Sequence, residues 1–165
     1  MFSIRKATPE DIPMIHDMAW VVFPHTYKEI LTSEQIDYMM DWMYSITNLE
    51  KQMTEDGHIY YLALKENEPA GYLSIQPEGD HVFHLQKIYV LPSFQGMKLG
   101  KQLFEQAIKA IKELHPAPCQ MRLNVNRQNK ALAFYERMGM VKVDEGDFPI
   151  GNGYYMNDFI MGMDI

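Results

Sequence analysis

The stretch QGMKLGK, Gln95 to Lys101, sets Gly96 and Gly100 four residues apart with Lys98 midway, where a strand-like run stops and a helix-like pattern starts. The start of a helix exposes unpaired backbone N–H groups and a partial positive charge, and glycine lets an anion come close to the backbone. Gln95, Gly96, Met97, Lys98, Leu99, Gly100 and Lys101 are therefore a candidate cradle for a pyrophosphate. The same residues also suit a plain strand-to-helix turn. Neither the dinucleotide fingerprint GxGxxG nor the P-loop GxxxxGK[ST] is present.

The elements around this loop follow from periodicity. Phe2–Ala7 alternates as a first strand. Thr8, Pro9 and Asp11 make a helix start, Thr32 with Gln35 has capping-box spacing, and Thr47 with Glu50 repeats it. Three strands are expected at roughly 59–65, 69–76 and 81–91, joined by the short turns ENEP and PEGD and hence antiparallel. Leu99, Leu103, Phe104, Ala107, Ile108, Ile111 and Leu114 form one apolar stripe of a helix. CQMRLNV is a strand, NRQNKALAFYERMG a helix capped by Asn126 and closed by Gly139, and two strands end the chain. The order β, two or three α, βββ, α, β, α, ββ predicts an α/β or α+β fold, with helices on both faces of a mixed, mostly antiparallel sheet of about seven strands.

With 165 residues the chain fits one domain, 1–165, and its net charge of −7 argues against nucleic acid and is compatible with a cationic ligand. Cys119 is the lone cysteine, so no intrachain disulfide forms, and the absence of CxxC or Cys/His spacing predicts no metal site. No apolar run is long enough to span a membrane, and the first residues lack the apolar core of a signal peptide, so a cytoplasmic protein is expected.

The run IYVLPSFQGMKLGKQLF resembles the acetyl-CoA motif of the GNAT superfamily of N-acetyltransferases, a strand ending in V-x-P followed by Q/R-x-x-G-x-G/A at the head of a long helix. Gln95 and Gly100 match the ends of that pattern, and Lys98 replaces its middle glycine. The expectation is that the backbone at Lys98 is already helical and that the side chain adds a cation near the phosphates. LNVNRQNKALAFYERMGM, Leu123 to Met140, resembles the second acetyl-CoA motif of the same superfamily. The tail FPIGNGYYMNDFIM and the segment EQIDYMMDWMYS are similar to the bacterial PaiA-type branch, whose members acetylate spermidine and spermine.

The resemblance implies an acetyl-CoA-binding core at 81–140, a helical substrate-side region at 8–56, and acetyl transfer to the primary amine of a small molecule, a polyamine favoured. It leaves a homodimer open. The reaction needs two substrates positioned, an oxyanion stabilised and protons moved. Backbone groups of Ile88, Tyr89 and Val90 would pair with the pantetheine arm, and an amide of Tyr89 or Val90 would serve the oxyanion. Tyr135 is implied as the acid facing the sulfur, since a phenol of pKa near 10 stays protonated at pH 7. Asn129 is implied as a contact to the pantetheine or phosphate part, while Asn124, at the strand end, either touches the cofactor or simply ends the strand. A cationic acceptor wants carboxylates and aromatic faces, which Tyr27, Glu29, Trp42, Tyr154 and Asp158 offer. His84 is the titratable group on the central strand, although water-mediated deprotonation is the default. The competing readings are a protein or peptide acetyltransferase, which needs an open groove, and a non-catalytic acetyl-CoA-binding regulatory module, against which Tyr135 and the V-x-P strand speak.

Overall fold

A computed structural model describes all 165 residues. In chain order the elements are β1 (Phe2–Lys6), α1 (Ile12–Tyr27), α2 (Ser33–Tyr44), α3 (Ile46–Thr54), β2 (Ile59–Lys65), β3 (Glu68–Gly79), β4 (Val82–Val90), α4 (Leu99–Leu114), β5 (Gln120–Asn126), α5 (Leu132–Arg137), β6 (Val141–Gly151) and β7 (Tyr154–Asp164). The seven strands form one sheet in the order β1-β2-β3-β4-β5-β7-β6. Every pairing is antiparallel except β4 with β5. A parallel pair needs a crossover, and α4 supplies it.

Each face of the sheet carries helices. On one face, Leu99, Leu103, Phe104, Ala107 and Ile111 of α4 pack on Leu73, Ile75 and Leu85. The predicted stripe runs out at Ile111: Leu114 is exposed because the helix ends there. On the other face, Ile15, Phe23, Met40, Tyr44 and Leu49 of α1–α3 cover Tyr60, Leu62 and Tyr72. Burying each such side chain contributes about 1.5–3 kcal/mol before chain entropy is set against it.

The caps explain the helix boundaries. Thr32 Oγ1 accepts from the Gln35 amide at 3.2 Å and opens α2. Asp11 accepts from the Thr8 amide at 2.9 Å and pairs with Arg5 at 2.8 Å, although that box opens a 3-10 turn ahead of α1. The expected Thr47 cap of α3 is displaced by Ser45, whose Oγ accepts from the Asn48 amide at 3.2 Å. Asn126 caps no helix: its Oδ1 takes the Gln128 amide at 2.8 Å, and Asn129 Oδ1 takes the Ala131 amide at 2.9 Å. These local turns compete with helical bonding and delay α5 to Leu132.

Two departures from regularity in β4 create the space that matters. β4 and β5 pair only over Val82–His84 with Gln120–Arg122 and then part. On its other edge, β4 carries a bulge against β3: Ser74 faces Lys87 and Ile75 faces Leu85, so Gln86 is the extra residue. A bulge bends the strand and reverses which face the following side chains occupy. Leu85 and Ile88 both lie on the α4 side, whereas Lys87 and Tyr89 turn toward α1–α3.

Candidate active site

Where β4 and β5 diverge, a cleft of 780 Å³ opens, bordered by Ile88, Tyr89 and Val90 on one side and Leu123 and Asn124 on the other. Leu91 donates its amide to the Ala70 carbonyl at 2.8 Å. Alternation along an antiparallel ladder then directs the backbone groups of Tyr89 at β3 too, and leaves those of Ile88 and Val90 on the open edge. The Tyr89 carbonyl does face β3, at 2.6 Å from where a Cβ on Gly71 would lie. Of the two amides expected at the oxyanion, the Val90 N–H is the one directed into the cleft.

The glycine loop lies beyond the V-x-P turn. Lys98 has φ 63° and ψ 17°, a left-handed conformation and not the helical one expected from the sequence. Lys98 is the residue immediately before α4, so the left-handed turn sits at the junction between the Pro92–Phe94 turn and that helix. This accounts physically for the glycine of the family pattern, since an L side chain there adds on the order of 1 kcal/mol of strain. Gly96 is left-handed as well, with φ 82°. Gly100 has no such need. A Cβ there would meet only the Phe134 ring at 3.5 Å, an ordinary contact, so the fold itself accepts a larger residue. The bare backbone at Gly100 leaves room for a ligand at the amides opening α4. Leu99 contributes only backbone, its side chain being core, while Met97 and Lys101 stay at the surface. Gln95 Nε2 donates to the Val90 carbonyl at 3.4 Å, tying the loop to the strand.

Tyr135, from the first turns of α5, lines the cleft and is buried. Burial pushes its phenol well above the ordinary value, and no side-chain hydrogen bond offsets this. Asn129 also lines the cleft, its Nδ2 donating to Tyr27 Oη at 3.4 Å.

A second cavity of 620 Å³ lies on the α1–α3 side of the same opening. Tyr27, Gln86, Tyr89 and Asn124 border both cavities, so the two meet at the bulge. Of the residues expected to hold an acceptor, Tyr27, Trp42, His84 and Asp158 line this space. Glu29 does not: it borders the first cleft, beside Gln128 and Lys130. Tyr154 is also elsewhere, its ring 5.2 Å from that of Tyr38 at the β6–β7 end. Asp158 is almost fully enclosed. Burial raises its carboxyl above the usual range, although the Asn124 amide donates to it at 3.2 Å. His84 Nδ1 is 2.8 Å from Glu78 Oε2 without hydrogen-bond alignment, and burial outweighs that carboxylate, lowering the imidazole's pKa.

Sequence reasoning passed over Lys87. Its Nζ, buried in the second cavity, donates to Gln52 Oε1 at 2.7 Å and to Tyr60 Oη, and lies 4.7 Å over the Tyr44 ring. No carboxylate pairs with it, and desolvation alone lowers its pKa from 10.5 to about 7. The readable signal is a slip of parity: apolar residues fall at 83 and 85, then at 88 and 90, which marks an extra residue between them.

The model of the acetyltransferase (GNAT) domain matches residues 27–150. The chain is 26% identical over 150 residues to the spermidine N(1)-acetyltransferase of Thermoplasma acidophilum, covering 88% of this chain and 91% of that protein. Among solved structures, it superposes on the PaiA N-acetyltransferase of Thermoplasma acidophilum in complex with coenzyme A with a TM-score of 0.83, at 24% identity and covering 100% and 99% of the two chains. The ribosomal-protein-S18-alanine N-acetyltransferase of Escherichia coli superposes with a TM-score of 0.74, at 19% identity and covering 100% and 94%.

Proposed function

The chain belongs to the GNAT acetyltransferases, and from that premise we propose that it moves the acetyl group of acetyl-CoA to a primary amine of a small molecule, with polyamines such as spermidine the first candidates. The observation that carries this reading is the meeting of two cavities at the β4 bulge, one extending as far as Gln95 at the start of the glycine loop and the other walled on one side by α1–α3.

Acetyl-CoA fits the first cavity. The amides opening α4 and the bare backbone at Gly96 and Gly100 receive the pyrophosphate, and the open-edge groups of Ile88 pair with the pantetheine arm, which leaves the Val90 N–H free. The coenzyme supplies an activated acetyl group. The Val90 N–H points to where negative charge would develop on the acetyl oxygen. Tyr135, its proton held firmly by burial, gives that proton to the departing sulfur.

The acceptor occupies the second cavity, which has the aromatic faces of Tyr27 and Trp42 and the carboxylate of Asp158 for a cationic amine. The Thermoplasma acidophilum relative's name adds support for polyamines. The helices α1–α3 close this cavity on one side, which favours a small acceptor over a peptide.

A panel of amines incubated with acetyl-CoA and a thiol reagent tests the reading. Release of free coenzyme A with spermidine or another small amine, and not with peptides, is expected. Release with peptides alone would reassign the acceptor. No release from folded protein that binds acetyl-CoA would leave a binding module.

A further inference from the structure

We propose that Lys87 is the proton acceptor for the substrate's ammonium group, its Nζ taking a proton directly from the acceptor in the 620 Å³ cavity. This rests on the acetyl transfer proposed above.

Three observations carry it. First, the bulge at Gln86 turns Lys87 off the α4 face and into the acceptor cavity, on the strand between Gln86 and Tyr89, which border both cavities. Second, the amine is held but not saturated. Two of its positions are spent on Gln52 Oε1 and Tyr60 Oη, and Tyr60 itself donates to Gln52 Oε1 at 2.5 Å. An amine has one more position, a third N–H when charged and a lone pair when neutral, and no hydrogen-bond partner within the protein fills it.

Third, the charges facing it do not hold it protonated. Gln52 of α3, Tyr44 of α2 and Tyr60 of β2 are neutral groups, and Tyr72 of β3 behind them is a phenol raised by burial. Two carboxylates border the cavity, Asp56 after α3 and Asp158 of β7, and neither forms an ion pair with Lys87. The basic groups there, Lys51, His58 and His84, add no negative charge that would hold the proton. Burial places its proton equilibrium near pH 7. His58 is depressed to about 4 and His84 below its ordinary value, so neither titrates in that window. A neutral Lys87 also removes the repulsion that a fixed cation would impose on a cationic acceptor.

The protons balance. The ammonium gives one proton to the lone pair of Lys87, which passes it to water at the cavity mouth. The neutral amine forms the N–C bond to the acetyl carbon as the C–S bond breaks. The second proton that the nitrogen sheds as it becomes an amide passes to water and replaces the one Tyr135 gives to sulfur, so Tyr135 ends protonated.

The test is kcat/KM from pH 5.5 to 9.5 for the wild type, Lys87→Met and Lys87→Arg, with acetyl-CoA Kd measured separately. The wild type is expected to lose activity below about pH 7 with unit slope. Lys87→Met is expected to fall roughly 10²–10⁴-fold in kcat, to lose that limb, and to keep its acetyl-CoA Kd. Lys87→Arg, a permanent cation, is expected to be inactive throughout, whereas a packing role would let it rescue. Near-normal turnover in Lys87→Met, or an unchanged limb near pH 7, overturns the proposal. If neither variant binds acetyl-CoA, competitive acylation of wild-type protein decides: a Lys87 labelling rate that titrates near pH 7 upholds it, and one that titrates near 10 overturns it. A wild type that acetylates no amine would instead refute the proposed function itself.

Discussion

Replacing Lys87 by methionine should make the protein more stable, and by an amount that depends on pH. The side chains have similar length, and the Tyr60 hydroxyl keeps its bond to Gln52 at 2.5 Å, so the loss of the amine leaves no orphaned partner. The wild-type lysine is nine-tenths buried and titrates near 7 when folded, against 10.5 in the free group. Between those values the unfolded chain binds the proton and the folded chain does not, so wild-type stability rises with pH across that window. At about 1.36 kcal/mol per pKa unit, burying this amine costs on the order of 5 kcal/mol well below pH 7, shrinking to about 1.5 kcal/mol at pH 9.5. Urea unfolding of both proteins at pH 6 and pH 9.5 measures this, and the difference between them cancels the titrating groups that Lys87 does not influence, His58 being the one it does. The advantage of Lys87→Met should be roughly 3 kcal/mol larger at pH 6, which at an m-value of about 2 kcal/mol/M is a further midpoint shift of about 1.5 M. An advantage that does not change with pH would mean that the amine is solvated or paired in the folded protein, and the reasoning would fail.

Tyr135→Phe should lower turnover by roughly 10²–10⁴-fold and leave acetyl-CoA affinity intact, with a melting temperature changed by a few degrees at most; near-normal turnover would remove the hydroxyl from the reaction. Lys98→Gly should raise stability by about 1 kcal/mol, seen as a melting temperature up by about 2–4 °C, because glycine occupies the left-handed conformation without strain. Its acetyl-CoA affinity should fall less than about tenfold, and calorimetry on the same preparation reports it. Gly100→Glu should fold and fail to bind acetyl-CoA, because the neighbouring Phe134 leaves room for a side chain but the added carboxylate fills the anion site. Unchanged affinity in folded Gly100→Glu would place the phosphates elsewhere.

The sheet was readable because its strands alternate and its turns are short. PEGD and ENEP could only join antiparallel neighbours, and the observed pairings of β2, β3 and β4 agree. The loop at Gln95–Lys101 was found from its glycines, yet the conformation of Lys98 was misread. A lysine's propensity favours a helix there, whereas the residue that leads into α4 takes a left-handed turn. Tyr135 was expected beside the cofactor from the resemblance of Leu123 to Met140 to the second acetyl-CoA motif, and it lines the cleft. The acceptor side was harder. Glu29 and Tyr154 looked equivalent to Tyr27 and Asp158 in composition, and only the packing of α1–α3 against β6 and β7 separates them. Lys87 escaped notice because a lysine in a strand reads as a solvated side chain. Its burial depends on one bulge and on two aromatic residues from distant segments, Tyr44 and Tyr60.

Acetyl-CoA carrying an isotopically labelled acetyl group tests the central claim most directly. The labelled coenzyme, the protein and spermidine are incubated together, and the amine and the coenzyme are both followed by mass spectrometry. The account predicts that the label moves onto one nitrogen of the amine, one free coenzyme A appearing for each acetylamine formed, and that Tyr135→Phe suppresses both together. Labelled coenzyme that remains intact beside every small amine tried, with protein that demonstrably binds it, would contradict the account.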